Sequence, residues 1–311
     1  MSRRLPEASP REALRATLLI VLSACCFGSI SPLTVIATGR GMELEALQAW
    51  RYGTSAVVLV GYGWWRRTPG RAGVVPWWHP RILLIAGGGQ ATVATLALMA
   101  LRWIPAATAS FLFYTFPAWV TLIAAIRGVE PIDRTRGIAL ALALGGIGCM
   151  VGAPSAASLH PLGVIAVLSG ALVYALYIPV LGALQRDRAA LDVARAIAVG
   201  GAVLFTTWAA VSGALFTAPG MIPAGAGVLQ GLLSAVSFLA FLAGLRVLGP
   251  VRASITSTAE PFWTTMLGVL LLQQPVGAGT LIGGVAIMGA VLLLQRPAVA
   301  RAPARSSAAD R

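Results

Sequence analysis

The sequence predicts an all-α polytopic membrane protein, with ten transmembrane helices arranged as two inverted five-helix repeats. Three observations point there. Apolar runs of spanning length fill most of the chain, the arginines fall almost entirely on one side of those runs, and the second half repeats the first in register. Of 311 residues, 58% are hydrophobic and only 11% charged, where a soluble domain carries about a quarter charged residues. The formal net charge of +13 does not describe a nucleic-acid binder, because the charges sit in short gaps between apolar runs that read as spanning helices. All the basic side chains are Arg, with no Lys, a compositional bias and not a device.

Ten segments are drawn near residues 16–37, 45–65, 82–101, 105–126 and 137–153, then 161–183, 193–213, 224–245, 253–272 and 277–295. They divide the chain into a tail at 1–15, a first repeat over 16–153, a second over 161–295, and a tail at 296–311. That last tail is Ala/Arg/Pro/Ser-rich and is expected to be disordered. Arginines of both tails, and of the gaps at 66–81, 127–136, 186–195 and 246–252, fall on one side of this alternation. Only Arg40 and Arg102 fall on the other, and Arg51 lies within a helix. The positive-inside rule then places both termini in the cytoplasm and requires an even number of spans. The expected setting is the bacterial inner membrane.

Taken in order, the first run continues through Cys25 to Val35, long enough to span. Leu22-Ser23-Ala24-Cys25 has the form of a lipoprotein cleavage site, but the run does not stop there, and the helix is expected to be retained. The second run carries Arg51 five or six residues inside its outer end. Its guanidinium can snorkel to the interface, or can contact a carboxylate of the substrate or Glu260. Trp64, Trp65, Trp77 and Trp78 flank the following loop as interface anchors. The third run holds Gln90, and the fourth Ser110, Tyr114, Pro117 and Trp119.

The fifth run carries Gly145, Gly146 and Gly148, and the tenth Gly279 and Gly283; small residues at this spacing serve close helix packing. The sixth run presents Tyr174 and Tyr177, and the eighth Ser237. The ninth contains Ser254, Ser257, Glu260, Pro261 and Trp263. Glu260 is the only carboxylate well inside an apolar run. It lies about 12 Å deep at 1.5 Å per residue, where an ionised group costs about 2.5–3.5 kcal/mol unless paired or hydrated. Two readings fit it: a proton carrier or substrate-amine contact, or a hydrogen-bonded group that braces the Pro261 kink.

A shift of 144 residues aligns 87–131 with 231–275 without a gap, and eleven of the 45 positions are identical. They include Arg102/Arg246, Ser110/Ser254, Pro117/Pro261, Trp119/Trp263 and Pro131/Pro275. Apolar bias does not place Pro, Trp and Arg in register. Each half thus holds five helices, and an odd number requires the second copy to insert upside down, a recurrent plan of secondary transporters. Pro117 and Pro261 each remove an intrahelical hydrogen bond at matching mid-helix positions. They read as hinges, as donors of free carbonyls from Phe113 and Ser257 to a ligand, or as packing residues. From Leu44-Glu45 against Leu191-Asp192, Ala198 stands in register with Arg51, so the shared scaffold does not require that charge.

Three patterns resemble the EamA-like ten-helix members of the drug/metabolite transporter superfamily. They are Trp50-Arg51-Tyr52, then Ala109-Ser110 through Phe116-Pro117 to Glu130-Pro131, and Ala253-Ser254 through Glu260-Pro261. The sequence departs from the pattern at Gln273-Gln274, where the second copy would end in Glu. The resemblance implies a carrier with a central cavity that exports amino acids or related metabolites by alternating access. The implied substrate-binding set is Arg51, Gln90, Ser110, Tyr114, Tyr174, Tyr177, Ser237, Ser257, Glu260 and Trp263. Glu260 would couple protons, and Pro117 and Pro261 would hinge.

The expected partners are a small-molecule substrate and the lipid bilayer, with no nucleic acid; a monomer and an oligomer both remain compatible. No cofactor or metal is expected. His79 and His160 lie in loops on opposite sides, and Cys25, Cys26 and Cys149 lack metal-ligand spacing. A membrane enzyme acting on lipid-linked substrates would place several His, Asp, Glu or Lys at one face, and that cluster is missing. A non-transporting assembly protein is disfavoured by the lack of any sizeable extramembrane region.

Overall fold

The computed structural model describes residues 9–66, 74–100, 102–104, 106–128, 133–151, 160–217, 220–273 and 277–294. Glu130, Pro131, Gln274, Pro275 and most of both tails lie outside the described residues. The described residues are helical, with no strand among them.

The first copy runs through α1 (Pro10–Gly28), α2 (Ile30–Thr38), α3 (Leu44–Trp65) and α4 (Pro80–Leu83). A π turn at Leu84–Gly88 leads into α5 (Gly89–Ala100), followed by α6 (Ala106–Phe113), α7 (Phe116–Ile126) and α8 (Arg134–Val151). The second runs through α9 (Pro161–Leu184), α10 (Ala190–Val211), α11 (Met221–Thr256), α12 (Ala259–Leu272) and α13 (Ala278–Leu294). Six helical stretches are long and apolar enough to cross a membrane, and Leu281–Leu294 is a shorter apolar helix. Large apolar side chains such as Val57, Leu84, Ile126, Ile165 and Val285 stand exposed around the bundle. Water would penalise such a belt, whereas lipid accepts it.

Local chemistry explains where the helices begin, break and merge. α1 starts earlier than hydropathy predicts because Ser9 and Glu12 form a reciprocal capping box. α11 runs past the predicted 224–245 segment into the start of the one predicted at 253–272. The chain turns at Gly249, where φ is 75° and ψ is 169°, a region essentially reserved for glycine, and Pro250 follows with its fixed φ. Two segments break before a proline. α6 stops at Phe113, and Pro117 sits in the first turn of α7. α11 stops at Thr256, and Pro261 sits in the first turn of α12. The prolines therefore open half-helices, where a missing N–H is tolerated. The Ser257 carbonyl, expected to be free, accepts the Glu260 N–H at 3.0 Å.

Packing follows the repeat. Helix α1 lies on α11 as α9 lies on α5, α1 meets α12 as α9 meets α7, and the corresponding helices α3 and α10 pack together, as do α8 and α13. The glycines on α8 and α13 bring those backbones close: a Cβ on Gly146 would lie 2.7 Å from the Gly283 carbonyl, and one on Gly279 would lie 2.2 Å from that of Cys149. Arg195, counted in the sequence among the gap charges, lies within α10 and is buried. It pairs with Asp192 at 3.0 Å, donates to the Leu59 carbonyl at 3.2 Å, and stacks over Trp77.

Candidate functional site

The broken segments meet at the centre of the bundle, and their breaks are built from hydroxyls as well as prolines. Thr115 Oγ1 donates to the Leu112 carbonyl at 2.7 Å. Ser257 Oγ donates to that of Ser254 at 2.8 Å, and Thr258 Oγ1 to that of Ile255 at 2.6 Å. Past each proline, Thr121 and Thr265 return a hydroxyl to the Pro117 and Pro261 carbonyls at 2.7 and 2.8 Å. These local bonds satisfy backbone groups that a continuous helix would pair internally. They leave Tyr114 and Glu260 at the two interruptions.

Helix α1 also breaks here, between Gly28 and Ile30, and is clamped to α12. Trp263 Nε1 donates to Ser29 Oγ, and Thr264 Oγ1 to the Gly28 carbonyl, both at 2.9 Å. Gly28 permits the approach: a Cβ there would stand 2.8 Å from the Glu260 carbonyl. The two clamps fix the backbone that presents the Glu260 side chain.

The Glu260 carboxyl interacts with the Tyr114 hydroxyl and feels the Arg51 guanidinium and the Tyr174 hydroxyl. Arg51 does not snorkel. It is 8% exposed, donates from Nε to Ser234 Oγ at 2.7 Å and from a terminal nitrogen to Gln48 Oε1 at 3.3 Å. Its guanidinium lies 5.1 Å from the Tyr52 ring centroid and 5.9 Å from that of Phe27. The Tyr52 ring fits because Gly201 faces it, where a Cβ would be 2.4 Å from the ring. The fully buried Tyr52 hydroxyl has no hydrogen-bond partner among the described residues, an open donor of the kind that folded proteins rarely leave. Tyr174 packs on Phe116 and Phe113 at 4.8 and 5.7 Å between centroids.

Arg51, Tyr114, Tyr174 and Glu260 therefore converge, drawn from α3, the α6–α7 break, α9 and α12. Ser257 lines the same break but bonds its own helix. Ser237 sits deeper between helices, donating its hydroxyl to the Ser23 carbonyl at 2.9 Å and accepting from Ser23 Oγ at 2.7 Å, which ties α11 to α1. The Tyr177 hydroxyl donates to the Ala86 carbonyl in the π turn. Trp263 is committed to Ser29. Gln90 is half-buried at the start of α5, and Ser110 is exposed on α6. Sequence reasoning did not single out Ser234, Gln48 or Tyr52. Tyr52 adjoins Arg51 within the quoted Trp50-Arg51-Tyr52 pattern, and Ser234 stands in repeat register with Gln90, so both carried a signal. Among the described residues, no His/Cys/Asp/Glu group could hold a metal.

A carboxyl within electrostatic reach of a guanidinium, tyrosine hydroxyls beside it and helix breaks ahead of two prolines suit the binding of a small polar solute. The EamA-like transporter family matches this chain twice, over residues 14–152 and 161–296. A solved crystal structure of another protein superposes with a TM-score of 0.77 at 18% identity, covering 90% of this chain and 96% of that one; it shows the fold alone. No curated protein matches.

Proposed function

The chain belongs to the EamA-like transporter family, whose members carry small solutes across membranes, and from that premise we propose a proton-coupled exporter of amino acids or related compounds. It works by alternating access of two inverted five-helix repeats, with ten spans and both termini on the cytoplasmic side of a bacterial inner membrane. The observation that carries this reading is the Glu260 carboxyl beside the Tyr114 hydroxyl and within electrostatic reach of Arg51, where the helices break. A carboxyl on a half-helix end can load a proton from one side and release it to the other as the halves rock. The same pair offers an anionic contact for an amine and a cationic one for a carboxylate. Tyr52, Tyr174 and Ser257 add hydroxyls around the path, and Pro117 and Pro261 let the half-helices swing.

The experiment uses purified protein in proteoliposomes under an imposed pH gradient, with a panel of labelled amino acids, amines and nucleosides. Wild type accumulates its substrate under the gradient. Glu260→Gln loses that drive yet keeps one-for-one exchange, since exchange needs no net proton movement. Gradient-driven accumulation by Glu260→Gln would place the proton elsewhere, and loss of exchange as well would make Glu260 a binding or bracing group.

A further inference from the structure

A second site lies away from the central cluster, at the end of the bundle where α3 begins and α5 and α10 finish. A pocket of about 170 Å³ opens there, lined by Leu44, Glu45, Leu98, Met99, Arg102 and Trp208. Apolar cavities of about 150 Å³ accept a benzene-sized body. This one adds a carboxylate and a guanidinium to its apolar wall, and the two form no ion pair with each other: the ion pairs among the described residues are Arg136–Asp133 and Arg195–Asp192.

The repeat shows why Glu45 is left open. Its counterpart Asp192 is neutralised by Arg195 at 3.0 Å, one helical turn along α10. In the first copy Gln48 stands in register with Arg195. Gln48 cannot pair with Glu45 as a cation, and its side-chain oxygen instead accepts from Arg51. The first copy thus keeps an acid at this position without the base that would quench it, and Arg102 from the turn after α5 faces the same pocket. Trp208 supplies an indole wall. Its ring stacks on Phe205 at 6.0 Å, which stacks on Tyr52 at 5.0 Å. That aromatic column runs from the pocket wall to Tyr52, over which the Arg51 guanidinium lies at 5.1 Å.

We propose that this pocket is a separate binding site for a compact zwitterion with an aromatic or apolar body. Its ammonium group meets Glu45, its anionic group meets Arg102, and its body lies against Trp208 and Leu98. The site needs no transport cycle to bind, so it stands or falls independently of the proposed exporter activity.

The test measures equilibrium binding to the detergent-purified full chain of three probes: 4-(aminomethyl)benzoate, benzylamine and benzoate. In wild type the zwitterion binds more tightly than either single-charge probe. Glu45→Gln weakens the zwitterion and benzylamine about tenfold and leaves benzoate unchanged. Arg102→Gln does the converse, tenfold being the loss of one charge-assisted contact. The swap Glu45→Arg with Arg102→Glu restores zwitterion binding toward the wild-type value, a rescue that a misfolded chain cannot show. The part of zwitterion binding that the Glu45 and Arg102 variants remove persists in Glu260→Gln. The proposal is overturned if the zwitterion binds no better than benzylamine and benzoate. It is equally overturned if both single variants bind as wild type, or if Glu260→Gln rather than the Glu45 and Arg102 variants abolishes binding, which would assign the probe to the centre.

Discussion

Gly200 is a position where one added methyl group should do measurable damage. Helix α10 crosses the π turn with backbone against backbone, and a Cβ on Gly200 would stand 2.7 Å from the Leu83 carbonyl oxygen and 2.8 Å from Gly87 Cα. Comfortable carbon contacts lie near 3.5–4.0 Å, so the two helices must part by about 1 Å. Neither obstacle is a side chain that can swing aside, and such overpacking costs about 1–3 kcal/mol. The repeat provides a matched control, because Gly53 occupies the register of Gly200 in the first copy and a Cβ there meets nothing within 4 Å. Alanine at Gly53 gains helix propensity of up to about 1 kcal/mol. Thermal unfolding of the purified protein in one detergent, followed by tryptophan fluorescence, compares the two. At about 2–4 °C per kcal/mol, Gly200→Ala should melt several degrees below wild type and Gly53→Ala at or slightly above it. Equal midpoints for the two variants would refute the claim that this crossing is set by direct backbone contact.

Arg51→Gln should weaken carboxylated substrates far more than neutral analogues in competition assays, because a buried charge-assisted contact is lost; uniform weakening would make Arg51 a structural group. Pro117→Ala and Pro261→Ala should each slow turnover more than they weaken substrate binding, read as a larger change in kcat than in Kd; equal losses would point to ligand contact. Reporter fusions at the C-terminus should read as cytoplasmic, and a periplasmic signal would overturn the even number of spans.

The helix positions were legible because lipid demands long apolar runs, and the pairing of Pro117 with Pro261 announced the matched breaks. Three features were less legible. The start of α1 is set by the short-range Ser9–Glu12 box, which hydropathy does not register, although the Ser-x-x-Glu spacing is plain in the sequence. Arg195 reads as a gap charge, yet it is buried because Asp192, the Leu59 carbonyl and the Trp77 ring surround it, and two of those partners lie more than a hundred residues away. The direction of Arg51 was open for the same reason: Ser234, the acceptor that turns it inward, is 183 residues distant. Sequence periodicity reports which face of a helix is apolar, not which hydroxyl on another helix waits opposite.

The two copies share a scaffold but not its chemistry, and the difference bears on how such a carrier would move. Phe116 stands where the second copy has Glu260, and Ala198 where the first has Arg51; Ala202 stands opposite Ser55, and Val93 opposite Ser237. Helix α3 is therefore bolted to α11 by Arg51 to Ser234 and by Ser55 to the Gly231 carbonyl, each at 2.7 Å. The matched interface, α10 against the π turn, is closed by the bare backbones of Gly87 and Gly200. Net values of about 0.5–1.5 kcal/mol for a neutral hydrogen bond and about 1.5–3 for a charged one give the bolted side an advantage of about 2–4.5 kcal/mol. At 1.4 kcal/mol per factor of ten, that biases two otherwise related arrangements by about 30-fold to about 1,600-fold. In the proposed rocking cycle the smooth glycine face is then the surface that slides, the hydrogen-bonded face moves as one body, and a substrate that competes with Ser234 for Arg51 supplies the differential binding needed to release it.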